Sequence, residues 1–147
     1  MRDHSPKKRI KITLINLQNN LTIHPGKIKN LILKVIQNEK GTASGRINIC
    51  FTDNRKIKEF NAKFHKTNSA TDVLAFNLSD KNNPRVILAD IMVSTQTAIK
   101  QAIKYRTNPD YELSLYVVHG LLHILGFNDQ SLKQIKLMRK KESQYVN

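Results

Sequence analysis

Residues Asp110–Leu125 read DYELSLYVVHGLLHIL, and this stretch decides what kind of globule the chain can make. Apart from its first turn and two histidines it is apolar nearly all round, so a helix here must be surrounded by protein rather than lie on a surface. Proline at 109 suits the first turn, and Gly126 is placed to end the helix in a left-handed cap. The wider apolar run, Leu113 to Phe127, contains both histidines and is too short to span a bilayer. The expectation is a central buried helix.

Working outward, the period of the pattern alternates between that of strands and that of helices. Ile10–Asn16 alternates apolar and polar residues as a half-buried strand does, and Pro25–Asn38 puts Ile28, Leu31, Ile32, Val35 and Ile36 at helical spacing. Arg46–Thr52 alternates again, and Asp53 is a plausible cap for a helix to about Phe64. Thr71–Phe76 and Val86–Val93 are β-branched runs joined by the turn-rich segment Asn77–Arg85, which makes them neighbouring strands. Ser94 caps a helix carrying Ala98, Ile99 and Ala102, and Ser131 caps a last basic helix to about Tyr145, with Leu132, Ile135 and Met138 inward. The order β-α-β-α-β-β-α-α-α implies an α+β fold: a mixed four-stranded sheet packed with about five helices, in a single domain over residues 1–147.

The chain has 25 Lys+Arg against 11 Asp+Glu, a formal net charge of +14. Such an excess concentrates polyanions around the protein, and neutralised phosphates release counterions, so nucleic acid is the favoured partner class, with a merely solvated basic surface as the other reading. The lone cysteine, Cys50, forms no intrachain disulfide and reads as a buried thiol. Met1 to Arg9 is charged with no apolar h-region after it, which points to a cytoplasmic protein with no membrane partner.

His119 and His123, one helical turn apart, project from one face of the buried helix. A buried polar ring without a partner costs on the order of 1–3 kcal/mol, and coordination of one zinc ion satisfies both. Gly126 lets the chain break from the helix and return Asp129, giving the order H-x-x-x-H-x-x-G-x-x-ligand known from zincins. Core histidines bonded to carbonyls, and Asp129 as a loop or capping residue, are the plainer alternatives. Where metalloproteases of the H-E-x-x-H type carry their general base, this chain has Gly120, so peptide hydrolysis lacks its usual base while metal-assisted phosphodiester cleavage does not need it.

His119–Asp129, HGLLHILGFND, resembles the H-G-x-L-H-L-x-G-Y-D-H signature of the YbeY family of ribosomal RNA maturation factors. Asn61–Phe76, NAKFHKTNSATDVLAF, and Leu88–Ala102, LADIMVSTQTAIKQA, are similar to two further family segments in the same order. The resemblance implies a metal-dependent endoribonuclease specific for single strands, acting at the 3′ end of small-subunit ribosomal RNA and in ribosome quality control, with the ribosomal small subunit as a further partner. It implies a metal set of His119, His123 and Asp129, the last standing where the family usually carries a third histidine. His65 stands at the position of the arginine the family is thought to use near the substrate phosphate, and joins His119 and His123 in the implied catalytic set. A solvated helix-end residue is the alternative for His65, while Asp72, Asp90 and Ser94 are open between ligand-orienting and purely structural roles. The expected site is a basic cleft with the metal at its floor and lysines, including those of Lys133–Lys141, at its rim. A metallopeptidase and a non-catalytic ribosome-assembly factor with a structural metal are the rival readings.

Overall fold

The computed structural model describes residues 9–64 and 72–147. Ile47, Ile49 and Phe51 are fully buried while Arg46, Asn48 and Cys50, which alternate with them, face the other side and are more exposed, the period-two signature of a strand covered more deeply on one face. That strand, β2 (Ser44–Thr52), follows β1 (Ile10–Asn16) and helix α1 (Pro25–Lys40). After α2 (Asn54–Phe64) come β3 (Val73–Asn77) and β4 (Val86–Ser94), then α3 (Thr95–Tyr105), α4 (Pro109–Ile124) and α5 (Leu132–Val146). Among the described residues the element order is the one the sequence predicts.

The sheet runs β1-β2-β4-β3, with β1, β2 and β4 parallel and β3 antiparallel to β4 at the edge. Parallel neighbours need crossovers, and α1 supplies the one between β1 and β2. The mixed sheet follows from chemistry at the turns: Asn77 to Arg85 is short and polar enough for a hairpin, so β3 can only return antiparallel. One face carries the main core, in which Ile32 and Val35 of α1 and Val117, Val118 and Leu121 of α4 meet Ile47, Ile49, Ile91 and Val93. On the other face α2 covers a smaller cluster of Ile57, Leu74 and Met92.

Side-chain caps end the loops where the sequence places them. Asp53 Oδ1 accepts from the Lys56 amide at 2.9 Å, Ser94 from Thr97 at 3.0 Å, and Ser131 forms a reciprocal capping box with Gln134. Three details differ from expectation. β2 starts two residues early, at Ser44, because Gly45 lies against the backbone of Ile87 and pairs there despite its poor strand propensity. Cys50 is only half-buried, since it faces the thinly covered side of the sheet. Leu132 is 79% exposed; Met138 is the residue of α5 that packs fully inward from the predicted trio. Among the described residues no helix is long and apolar enough to cross a membrane.

α4 is the centre of the molecule. Leu113, Val117, Leu121 and Leu122 are essentially inaccessible to solvent. Its close approach to the sheet depends on Gly120, where an added Cβ would stand 3.1 Å from methyl groups of both Ile91 and Val73. Position 120 therefore faces the sheet, away from the histidines one position before and three after.

Candidate metal centre

The C-terminal end of α4 is built as a Schellman motif. The amide of Phe127 donates to the Leu122 carbonyl at 2.9 Å and that of Gly126 to His123 at 3.1 Å, with Gly126 at φ +100°. Asn77 Nδ2 on β3 donates to the Ile124 carbonyl at 3.2 Å, satisfying a further helix-end acceptor. The turn that results sends residues 127–129 back along the helix, and this is what returns Asp129 to the imidazoles. A side chain at φ +100° is strained by roughly 1–2 kcal/mol. Gly126→Ala is accordingly expected to lower the melting temperature by about 2–8 °C and to weaken metal binding, read by calorimetry and by chelator competition.

His119 and His123 lie with ring centroids 4.5 Å apart and their Nε2 atoms 3.0 Å apart. Asp129 Oδ2 is 3.6 Å from His119 Nε2 and 3.4 Å from His123 Nε2. Three donor atoms thus form a nearly equilateral triangle. Ligands at zinc bond lengths on a tetrahedron are separated by about 3.3 Å, so the triangle has the dimensions of one face of such a shell, and two imidazoles with a carboxylate are a donor set zinc accepts. Among the described residues, these are the histidine and acidic side chains grouped closely enough to hold an ion. The side chains keep 26%, 30% and 41% of their surface exposed, so a fourth position can be reached from solvent.

The surrounding cavity, about 340 Å³, is lined among others by Asp72, Tyr116, His119, Asp129, Arg139 and Glu142. Among the described residues its wall is not the basic cleft expected from the charge count. Three carboxylates and one guanidinium of the described residues line it, a balance that favours a cation close in, while Lys133, Lys136 and Lys140 stand exposed on α5. Burial works against a charge on His119, but the hydrogen bond and charge of Glu142, then Asp72 and Asp129, outweigh it and hold its pKa above the ordinary imidazole value. Tyr116 is pushed the other way from ionisation: burial, with Asp72 and Glu112 nearby, raises its phenol pKa far enough to keep it neutral.

Glu142 was not legible as a site residue. Its Oε1 lies 2.7 Å from His119 Nδ1, across 23 residues of sequence, and no local spacing in α5 signals that contact. Asp72, one of the ambiguous residues, does reach the cavity, and its carbonyl also accepts from the Ser94 amide at 2.9 Å. Asp90 and Ser94 do not come near it. Asp90 bonds Asn48 Nδ2 at 2.9 Å on the opposite face of the sheet, and Ser94 caps α3 while bonding Asn54. His65 lies outside the described residues.

Residues 13–147 match the family model described as Endoribonuclease YbeY. A relative of that name from Petrotoga mobilis is 35% identical, the alignment covering 94% of each chain. Another, from Protochlamydia amoebophila, is 32% identical over 92% of this chain and 90% of its own. Among solved structures, the solution structure of TM1509 from Thermotoga maritima superposes with a TM-score of 0.65 at 25% identity, covering 93% of this chain and 86% of that one.

Proposed function

The chain belongs to the YbeY endoribonuclease family, and from that premise we propose that it cleaves single-stranded RNA at a zinc centre held by His119, His123 and Asp129, within one catalytic domain. The substrate is the precursor of small-subunit ribosomal RNA, cut in maturation of its 3′ end in the cytoplasm, with the small subunit itself as docking partner. The observation that carries the reading is the donor triangle at the end of α4, with sides of 3.0, 3.4 and 3.6 Å.

A divalent ion bound there supplies Lewis-acid polarisation of a phosphoryl oxygen and lowers the pKa of a water towards about 7. The chain's own residues do the rest. His119 and His123 present lone pairs from a rigid helix, so the site needs little rearrangement to load. Tyr116, neutral and on the cavity wall, offers a hydrogen bond that cannot become a second negative charge beside a phosphate. Arg139 is the basic side chain among the described residues lining the cavity, and its planar fork suits a phosphodiester. His65, standing where the family carries an arginine, is proposed as a weaker phosphate contact beside it. The exposed lysines of α5 draw the polyanion in from a distance. Peptide hydrolysis is disfavoured because position 120, where a glutamate base would be needed, is packed against Ile91 and Val73.

The test is an RNA cleavage assay on the purified protein with elemental analysis. Cleavage abolished by chelator and restored by zinc supports the reading; metal-free protein that cleaves RNA equally well removes it. Within this scheme Arg139→Ala is expected to raise KM for a short RNA about tenfold and to reduce the dependence of log K on log salt by about one. Lys140→Ala, removing an exposed charge on the same helix, should flatten the salt dependence with only a slight loss of affinity and no change in kcat.

A further inference from the structure

The contact between α5 and His119 has a chemical direction. An imidazole has two nitrogens, and which one carries the proton in the neutral ring is set by the partner of the other. Glu142 Oε1 lies 2.7 Å from Nδ1, a length typical of a charge-assisted hydrogen bond, and an ionised carboxylate can only accept. In the neutral ring, the form that can ligate a metal, the proton is therefore placed on Nδ1. Nε2 is left with its lone pair, and Nε2 is the atom that faces His123 and Asp129. Without the carboxylate the ring is free to place its proton on Nε2, where it would block the ligand position.

The carboxylate is itself fixed from two sides. Its side chain is only 13% exposed, and Met138 and Tyr145, one turn before and one turn after, are 2% and 3% exposed in the main core. Its neighbour Lys141 forms an ion pair with Glu39 of α1, whose side chain is 8% exposed. α5 is thus anchored to both α1 and α4 at the level of Glu142, and an anchored acceptor restricts ring rotation as well as tautomer.

We propose that Glu142 is a positioning residue of the metal centre, acting through His119 to fix the ring's orientation and its Nδ1-H tautomer, so that Nε2 is the nitrogen aimed at the ion. The proposal rests on the zinc reading given above. It also bears on α5, which lies beyond the histidine motif and becomes part of the site.

The experiment compares wild-type, Glu142→Gln and Glu142→Ala chains, each stripped of metal. Zinc affinity is measured by competition with a chromogenic chelator, and the His119 tautomer by long-range nitrogen–proton NMR of the metal-free protein. Loss of the carboxylate in Glu142→Ala is expected to weaken zinc binding by about 10–100-fold and to shift His119 away from the Nδ1-protonated form. Glu142→Gln, whose amide oxygen can still accept from Nδ1, should retain the tautomer and fall between the two in affinity. Should the alanine chain fail to fold, the near-isosteric Gln variant carries the test through its zinc affinity, which must fall below that of wild type. Zinc affinity in the variants equal to wild type, or a His119 that keeps its Nδ1 proton in Glu142→Ala, overturns the proposal. Neither readout involves RNA. A wild-type chain that binds zinc tightly but leaves RNA intact would refute the nuclease reading alone, whereas one that binds no zinc would remove the basis of both.

Discussion

Replacing His119 and His123 together by alanine is expected to reduce RNA cleavage by at least about a thousandfold and to eliminate stoichiometric zinc, while RNA binding changes by no more than about twofold. Two of three donors disappear, and a lone exposed carboxylate does not hold a catalytic ion. Binding survives because it draws on the long-range field of a chain with formal net charge +14, beside which the loss of one divalent ion is small. The fold should survive too, since both rings are partly exposed and alanine is the better helix former. Elemental analysis, cleavage of a labelled single strand and filter binding check the three parts. A non-catalytic assembly factor would show the same retained binding with no cleavage by wild type, and a peptidase would cut peptides in a chelator-sensitive way.

The second large effect concerns the scaffold. Gly45→Ala is expected to destabilise the protein by roughly 4 kcal/mol or more, enough to leave little cooperative unfolding at 37 °C for a domain of ordinary stability. An added Cβ would lie 1.9 Å from the Ile87 carbonyl oxygen, inside backbone that cannot swing aside, and φ is +133°. Relief would require β2 and β4 to separate at Ser44–Arg46, where their parallel ladder begins. Thermal denaturation and soluble yield measure the outcome; a variant melting within a few degrees of wild type would contradict the close approach.

Gly45 also shows what kind of information a sequence withholds. Alternation and capping residues are local, so the strands, the helices and their ends at Asp53, Ser94, Gly126 and Ser131 could be read directly from residue order. The start of β2 could not, because glycine and serine are poor strand formers and their place there is dictated by a partner 42 residues on. The same distinction divides the site. His119, His123 and Asp129 fall within eleven residues and one turn geometry, so their convergence was legible. Glu142 depends on how α5 lies against α4, and Asp72 on where the edge strand begins; neither is encoded in spacing. Net charge misled about the described part of the cavity wall, since it sums over a surface, and among the described residues no lysine lines that pocket.

The shortness of that eleven-residue span bears on how the cell could control the protein. An ion clasping one helix end to the loop just after it ties together chain that is already close, so it removes little freedom from the unfolded state, and the core between α1, α4 and the sheet contains none of its donors. On the proposed zinc reading, demetallation leaves an intact but idle scaffold, one that can be recharged rather than resynthesised. Metal supply would set the active fraction of the pool while its abundance stayed constant.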